Sequence, residues 1–473
     1  MLTIQFGQCG NQLGHELFTK IAKDIESKNP GSSYEANYDY CEATCEKWFS
    51  GIAKDGNRIT RAVLVDTERK VLDKIRDKEQ TNCHWRYSRK NEIYQAGGEG
   101  SGNNWSYGYF VKAKQLEAEI IEAVRRECER SDHLNGFLGL LGSAGGTGSG
   151  VASRVIELLR DEYPTKTTLG ILVLPFPNGE VGVQNYNGLL TLGKFVDFAD
   201  GIILLENDRM LRICTKSANQ RIRTETRFLQ DINEVACEKI LAVFQPTTGV
   251  RNEANYFVNR MAAHPAYKIS TVKSTPPLKF STKHAENVVN VCDTEPTSWE
   301  AHVKQLKHTL RIIGASHNFE VISDVGNTKI AMKGSATESS HHVYRRAVAN
   351  MLITRGNSKN KNSSYKNHED PTVSRAQLME DTLYTPWSPK HQRLTHLHEK
   401  RRFLEREKFV ALVTNNSQIC ETLDGLVEKA WNCYTHAAFL HKYKQYGLED
   451  DDFLRAFAKV ENVIKLYGEL DRL

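Results

Sequence analysis

The most constraining feature of this sequence is a nine-residue stretch, GSAGGTGSG at positions 142–150, which contains five glycines. Such a stretch is typical either of a flexible linker or of a loop whose backbone wraps an anion. Its context favours the loop, because an apolar run, GFLGLLG, leads into it and an amphipathic segment, VASRVIELLRDEY, follows it. A glycine-rich turn from a strand into a helix is where parallel α/β sheets bind phosphate groups. The sequence therefore predicts a phosphate-binding loop.

Strands and helices alternate over roughly the first 215 residues. Apolar runs such as LTIQF, TRAVLVD, TLGILVLP and DGIILLEN are interleaved with amphipathic segments of helical period. This alternation predicts an α/β fold built on a doubly wound parallel sheet.

The pattern changes near residue 216, and the chain is too long for one simple core. A polar connector, QRIRTETR, precedes mixed strands and short helices, which a polar insertion at about 355–372 interrupts. Two long amphipathic helices follow near the end of the chain. We expect three domains, at 1–215, 216–385 and 386–473.

The glycine-rich loop belongs to neither of two common classes of phosphate-binding loop. It does not end in the GK[ST] of a Walker A loop, and a dinucleotide fingerprint would need glycine where Ser153 stands. The loop also contains no lysine, so backbone dipoles and a cation must balance the charge of a polyphosphate. Asp66 and Glu68 end an apolar strand and are suited to hold Mg²⁺ directly or through water. Taken alone, the two acids would be read first as solvated loop residues.

Composition limits the partners and the compartment of this chain. A net charge of +5 over 473 residues is a mild bias, and a nucleic-acid-binding protein would show a denser basic stripe. Ten cysteines occur without a CxxC pair, which argues against a zinc site or a disulfide framework. The sequence contains no signal peptide pattern and no apolar run of the ~20 residues that span a bilayer. We expect a cytoplasmic protein that binds neither nucleic acid nor membrane.

Four short motifs, in order along the chain, resemble those of the tubulin family. They are GQCGNQ at 7–12, GSGNNW at 100–105, AGGTGSG at 144–150 and VQNYN at 183–187. The C-terminal stretch KAWNCYTHAAFLHKYKQYGLEDDDF also resembles the C-terminal helices of tubulins, so the likeness covers nearly the whole chain. It implies a tubulin-like fold with a GTPase domain, an intermediate domain and a C-terminal helical domain. It also implies GTP or GDP and Mg²⁺ as ligands.

The resemblance also implies which residues surround the phosphates and the magnesium ion. In chain order they are Gln8, Cys9, Gln12, Asp66, Glu68, Ser101, Gly102, Asn103, Ala144, Gly145, Gly146, Thr147, Gly148, Ser149 and Gly150. The two acids would lie near Mg²⁺ and the terminal phosphate, and the residues from 144 to 150 would wrap the phosphates.

A second set of residues is implied for the base and the ribose. Asn207 and Asn233 would read guanine, since an amide offers both the donor and the acceptor that its edge requires. Phe228 would stack on the base, although the alignment can slip by one residue to Leu229. Gln184 stands where family members commonly carry an acid that contacts the ribose.

One segment departs from the pattern of alpha-tubulin, where a catalytic acid faces the nucleotide of a neighbouring subunit. In TGVRNEANYFVNRMAAHP, two ways of counting put Tyr256 or Asn255 at that position, and the closest acid is Glu253. A water-activating carboxylate must lie within hydrogen-bond reach of its water. We therefore do not expect this chain to trigger hydrolysis of a neighbour's nucleotide as alpha-tubulin does. Hydrolysis of its own bound GTP would be at most slow and would require an acid from a neighbouring subunit.

The motifs SGNNWSYGY, DIN at 231–233 and AFLHKY…GLEDDDF look most like delta-tubulin. This likeness implies a structural role in centrioles and basal bodies, support of triplet microtubules and cilium formation. The implied partners are centriolar proteins and other tubulins, namely alpha and beta, with epsilon a further candidate. The final LYGELDRL lacks the long acidic tail of alpha- and beta-tubulin, so we do not expect an ordinary microtubule subunit. The alternative is a free-standing guanine-nucleotide switch that recruits centriolar partners without polymerising.

Two other features receive structural interpretations. The segment HQRLTHLHEKRR, with His396, His398, Arg401 and Arg402, is typical of a solvated basic surface, with contact to an acidic neighbouring tubulin as the alternative. The aromatic residues between 431 and 446 predict core packing rather than ligand stacking.

Overall fold

The fold is taken from a computed structural model. It describes residues 1–27, 34–81, 84–95, 97–177, 179, 181–217, 225–251, 253–278, 298–312, 344–356, 370–404 and 406–472. Most of the predicted polar insertion, residues 357–369, lies outside this described part of the chain.

The strands within the described residues, numbered in chain order, are β1 Leu2–Phe6, β2 Phe49–Ile52, β3 Arg58–Thr60, β4 Ala62–Asp66, β5 Trp85–Arg86, β6 Glu92–Tyr94, β7 Gly136–Gly142, β8 Thr167–Leu174, β9 Gly201–Glu206, β10 Ile269–Thr275, β11 Ala347–Gly356, β12 Leu394–Glu399 and β13 Lys408–Asn416.

The α-helices, numbered in the same way, are α1 Gly7–Glu26, α2 Tyr34–Trp48, α3 Arg69–Thr81, α4 Ala113–Glu129, α5 Ala152–Glu162, α6 Gln184–Phe198, α7 Asn207–Ser217, α8 Glu225–Phe244, α9 Ala254–Met261, α10 Trp299–His308, α11 Pro371–Ser374, α12 Lys390–Arg393, α13 Ile419–Thr435, α14 Leu440–Lys444 and α15 Asp450–Glu469. Short π-helical turns, Tyr107–Lys112 and Thr147–Val151, lead directly into α4 and α5. None of the described helices is long and apolar enough to cross a membrane.

Ten strands form one sheet in the order β12-β11-β13-β10-β9-β8-β7-β1-β4-β6. Every pair from β10 to β6 is parallel, and β13 pairs antiparallel with both β10 and β11. The chain runs outward from β1 to β4 and β6, and then returns to the other side of β1 with β7. This reversal confirms the predicted doubly wound α/β sheet and places a topological switch point at β1.

Both faces of the sheet are buried, which explains the near-continuous apolar runs of its strands. On β7, Phe137 and Leu141 pack into the core beneath α4, α5 and α6, while Leu138 and Leu140 pack into the core beneath α1 and α8. This alternation follows from the two-residue period of a strand. The two cores hold the carboxyl ends of β1, β4 and β7 in one row.

The helical character predicted for the C-terminal region begins later than residue 386. Strands β12 and β13 lie within that range, and β13 occupies a central position in the sheet between β10 and β11. Its run KFVALVTNN is almost wholly buried, as a strand covered on both faces requires. The division into three domains stays a prediction.

Three local predictions also need correction. The connector QRIRTETR is helical at its end, because α8 begins at Glu225. Arg355 belongs to β11 rather than to the polar insertion, and its buried guanidinium donates to the carbonyl oxygens of Gln245 and Pro246. Arg401 is also buried rather than solvated: its guanidinium lies 3.5 Å from the Asp24 carboxylate and donates to backbone oxygens at the end of α1. These arginines satisfy buried carbonyl groups, which a reading of sequence charge alone does not reveal.

A convergent loop site at the switch point

Four loops meet at the carboxyl ends of the parallel strands. They follow β1, β4, β6 and β7, and comprise the start of α1, residues 66–68, residues 97–106 and residues 142–150. Steric contacts show how closely they approach. A Cβ added to Gly148 would lie 2.5 Å from the Gly142 oxygen, and one added to Gly7 would lie 2.9 Å from the Gly148 nitrogen. Gly7 also has a φ of 64°, which glycine adopts most readily.

The third loop packs as closely on the glycine-rich stretch. A Cβ on Gly146 would lie 2.6 Å from the Ser101 Cβ and 2.7 Å from the Asn104 nitrogen. A Cβ on Gly150 would lie 2.2 Å from the Trp105 oxygen. The glycine-rich loop is therefore fixed between neighbouring backbones, which rules out the flexible linker.

A cluster of three hydroxyl groups joins three of these loops. The Thr67 and Thr147 oxygens are 2.6 Å apart, the Ser101 and Thr147 oxygens 2.7 Å, and the Thr67 and Ser101 oxygens 3.1 Å. All three residues are buried. Ser101 and Thr147 belong to the predicted site, whereas Thr67 was missed, although it lies between the two predicted metal-binding acids.

Asp66 lies at the base of the site, where burial raises the pKa of its carboxyl to about 6. The Asn11 amide nitrogen donates to Asp66 Oδ2 at 3.4 Å and to the Val65 oxygen at 3.1 Å, and the Glu68 N–H donates to Asp66 Oδ1. The Asn11 Oδ1 atom is buried and accepts no hydrogen bond within the described part of the chain. Asn11 was also missed as a site residue, although it belongs to the GQCGNQ motif.

The acids fit a magnesium ion that is shared with a phosphate. Glu68 lies against Gly100, where an added Cβ would come within 2.2 Å of Glu68 Oε1. The described residues contain no group of three His, Cys, Asp or Glu side chains that could enclose a metal ion. Mg²⁺ needs no such cage, because it commonly uses one or two carboxylates together with phosphate oxygens and water. Asp66 and Glu68 therefore have the chemistry for that ion.

The glycine-rich stretch contains neither lysine nor arginine, so its charge complementarity rests on the backbone. Ser149 offers no free donor, because its N–H and its hydroxyl both donate to the Gly145 oxygen. Gly145 itself is spacious, since an added Cβ would meet only the Asn103 Oδ1 atom at 3.7 Å. Asn103 and Gly102 next to it both have positive φ angles.

Asn187 ties these loops together and was missed by the residue-level prediction, although it lies in the VQNYN motif. Its amide nitrogen donates to the oxygens of Asn103 and Ala144, at 2.8 and 2.6 Å. Its Oδ1 atom accepts from the Trp105 N–H at 3.0 Å and from the Tyr443 hydroxyl at 2.6 Å.

The remaining predicted residues lie on the helices around these loops. Gln8, Cys9 and Gln12 lie in the first two turns of α1, where Gln8 is exposed. Cys9 faces Gly142, and burial raises the pKa of its thiol to about 11. Gln184 begins α6, is buried, and donates to the Phe176 oxygen at 2.8 Å.

The predicted base-binding residues lie on two helices that pack against each other, α7 and α8. Asn207 is the first residue of α7, and Phe228 and Asn233 lie on α8. Phe228 is half-buried whereas Leu229 is 45 % exposed, which favours Phe228 as the packing residue. No hydrogen bond in the described residues joins Asn207, Phe228 or Asn233 to the phosphate-side loops, so their roles stay predictions.

Helix α9 carries the segment that departs from alpha-tubulin. Its sequence, ANYFVNRM, contains no carboxylate. Glu253 precedes the helix at the N-cap, the Asn255 side chain accepts from the Tyr256 N–H, and Tyr256 lies beneath Arg260.

Comparison with known proteins agrees with this arrangement. The model of the Tubulin/FtsZ family GTPase domain matches residues 1–215. The tubulin delta chain of Mus musculus is 31 % identical over 480 residues, which cover 99 % of each chain. The tubulin delta chains of Canis lupus familiaris and Homo sapiens are also 31 % identical, over 99 % of this chain and 100 % of theirs. The likeness that the motifs predicted is therefore confirmed.

Proposed function

The chain belongs to the tubulin family, and from this membership and the loop geometry we propose that it is a delta-type tubulin that binds GTP and GDP with Mg²⁺. The observation that carries the proposal is the convergence of the glycine-rich loop with the Thr67–Ser101–Thr147 hydroxyl cluster at the switch point. Close-packed glycines present backbone N–H groups to a polyanion, and no lysine is needed.

The roles of individual residues follow from their chemistry. Residues 144–150 and 101–103 hold the phosphates, and Asp66 with Glu68 holds Mg²⁺, which neutralises charge on the terminal phosphates when bound. Asn207 and Asn233 recognise the guanine edge, and Phe228 stacks on its face. Gln184 and the first turns of α1 line the ribose and phosphate side.

Nucleotide binding can be tested directly by titrating nucleotide-stripped protein with GTP, GDP and ATP by calorimetry, with and without Mg²⁺. The proposal is supported if the protein binds GTP and GDP, if Mg²⁺ strengthens the binding of GTP, and if ATP binds only weakly. Equal affinity for ATP and GTP refutes the assigned guanine recognition.

We further propose that the chain does not activate water on a neighbour's nucleotide as alpha-tubulin does. Helix α9 contains no carboxylate, and Glu253 lies ahead of it at the N-cap. A general base must reach its water by a hydrogen bond, and no such acid is present on α9 for a neighbour's nucleotide. At this chain's own site, by the same arrangement, the acid would come from the subunit that faces it. GTP turnover by the isolated protein should accordingly be slow, and mixing with alpha/beta-tubulin should be required to raise it.

The cellular role follows from the family type. We propose a structural subunit of centrioles and basal bodies that assembles with other tubulins and with centriolar proteins, and supports triplet microtubules and cilia. Tagged protein should concentrate at basal bodies and should pellet with alpha/beta-tubulin polymers. Basal-body localisation without pelleting would favour the alternative, a nucleotide switch that recruits centriolar partners and does not polymerise, for which the acid-free α9 is the specific observation.

A further inference from the structure

We propose that Tyr443, on the short C-terminal helix α14, is a positioning residue for the nucleotide loops. It lies 256 residues from Asn187 in sequence, yet its hydroxyl lies 2.6 Å from the Asn187 Oδ1 atom. The inference rests on the proposed nucleotide-binding function and adds to it a structural link between the phosphate loops and the C-terminal helices.

Asn187 is the junction through which this link acts. A side-chain amide can donate two hydrogen bonds and accept two, and Asn187 uses all four. It donates to the oxygens of Asn103 and Ala144 and accepts from the Trp105 N–H and the Tyr443 hydroxyl. Both loops that Asn187 donates to are predicted to contact phosphates. Among the residues that the structure describes, Tyr443 is the one whose side chain donates to the Asn187 oxygen and so holds the amide in this orientation.

The backbone of α14 provides a second set of contacts with the same loop. The Asn104 side chain donates to the Lys442 oxygen at 2.8 Å, and the Ser106 hydroxyl donates to the Tyr443 oxygen at 2.9 Å. One turn further on, the rings of Tyr107 and Tyr446 stack with centroids 4.4 Å apart. Helix α14 and the turn that follows it therefore contact residues 104–107 at several points and not only through one hydroxyl.

Tyr443 is held rigidly enough to position a partner. Its side chain is fully buried, and its ring packs edge-on against Tyr186 and Phe453, with centroids 5.4 and 5.5 Å away. Burial also raises the pKa of the phenol well above its usual value of 10.0, so the hydroxyl remains a donor. The Val183 oxygen, at 3.4 Å, is a longer alternative acceptor, and the Asn187 Oδ1 atom is the nearer of the two.

If Tyr443 positions the loops, removal of its hydroxyl should weaken nucleotide binding and not only lower stability. Without the hydroxyl, the Asn187 oxygen keeps one donor, and the loops are less ordered before a ligand binds. Ligand binding must then supply the ordering that the fold supplied before, so affinity falls. By thermodynamic linkage, nucleotide binding should in turn order α14.

The test compares Tyr443→Phe with Tyr434→Phe, which removes the same hydroxyl from the same aromatic cluster. The Tyr434 hydroxyl instead faces Asp450, at 3.4 Å, away from the loops. We expect GTP to bind Tyr443→Phe about tenfold more weakly in calorimetric titration, because a buried acceptor loses its donor. Tyr434→Phe should stay within about twofold of the wild type, as for a surface change.

Amide hydrogen exchange tells a positioning role from a purely structural one, because only a positioning role predicts that GTP changes exchange in α14. GTP should slow exchange at residues 440–446 in the wild type and should slow it much less in Tyr443→Phe. Should Tyr443→Phe fail to fold, Ser106→Ala removes a contact from the loop side and should weaken GTP binding about threefold.

The outcomes separate this inference from the proposed function. The positioning role is overturned if Tyr443→Phe binds GTP with wild-type affinity. If Tyr443→Phe does not fold, wild-type affinity in Ser106→Ala overturns it instead. Either result leaves the proposed function intact. A wild-type protein that binds no guanine nucleotide overturns both.

Discussion

Replacement of Gly148 by alanine tests the steric basis of the loop site most sharply. The added Cβ would lie 2.5 Å from the Gly142 oxygen, 3.3 Å from the Gly142 nitrogen and 3.4 Å from the Phe6 oxygen. All three neighbours are backbone atoms, so the strain cannot be relieved by a side-chain rotation. Overpacking of this kind typically costs about 1–3 kcal/mol.

The strain falls where β1 and β7 end, so we expect it to appear as weaker nucleotide binding as well as lower stability. If the whole cost falls on binding, 1–3 kcal/mol corresponds to about 5- to 150-fold in affinity. The assay is calorimetric titration of stripped protein with GTP, together with thermal unfolding of the ligand-free protein.

Gly425→Ala is the control, because it makes the same substitution on α13, outside the predicted site, where an added Cβ would meet no atom of the described residues within 4 Å. This variant should bind GTP within about twofold of the wild type, as for a change without steric conflict. Equal affinities for the Gly148 and Gly425 variants would refute the reasoning, because backbone contact would then not shape the site.

Three further predictions follow from single side chains. Burial raises the pKa of Asp66 from 3.8 to about 6, so in ligand-free protein this group favours folding below pH of about 4 and loses that contribution as pH rises through about 6. In urea unfolding curves measured across this pH range, Asp66→Asn should remove this pH dependence of the free energy of unfolding. In the wild type, the Mg²⁺-dependent affinity for GTP should fall below a pH of about 6, where Asp66 becomes protonated. Arg401→Met should lower the free energy of unfolding in urea titrations by about 3–5 kcal/mol, because it leaves the buried carboxylate of Asp24 without its cation. Arg402→Ala, the control, breaks a surface ion pair with Glu407 and should lower it by at most ~1 kcal/mol. Phe228→Ala should weaken GTP binding by about 0.5–1.5 kcal/mol if its ring stacks on guanine, and a larger loss in Leu229→Ala would show that the alignment slips by one residue.

The phosphate side of the site can be predicted from sequence because each of its loops connects segments that are adjacent in the chain. A buried strand followed by glycines and an amphipathic helix has few ways to fold, and the contacts of Gly146 and Gly148 are direct consequences. The same holds for Asp66, which ends an apolar strand beside β1.

The rest depends on contacts between distant parts of the chain. Asn187 was hidden because its partners come from three other segments, including Tyr443. Arg401 looked like a surface charge because the carboxylate that pairs with it, Asp24, lies 377 residues away. Strand β13 was assigned to a helical region because its position between β10 and β11 is a property of the whole sheet.

The most direct measurement of the central claim is the nucleotide content of the purified protein. After denaturation, the released nucleotide is separated by chromatography and its amount is compared with that of the protein. We expect an equimolar amount of guanine nucleotide, mostly GTP, because hydrolysis at this chain's own site requires an acid from a neighbouring subunit, which the isolated chain lacks. Protein that is folded and carries no nucleotide, or carries adenine nucleotide, would contradict the guanine site, and a preparation that holds mainly GDP would contradict slow turnover.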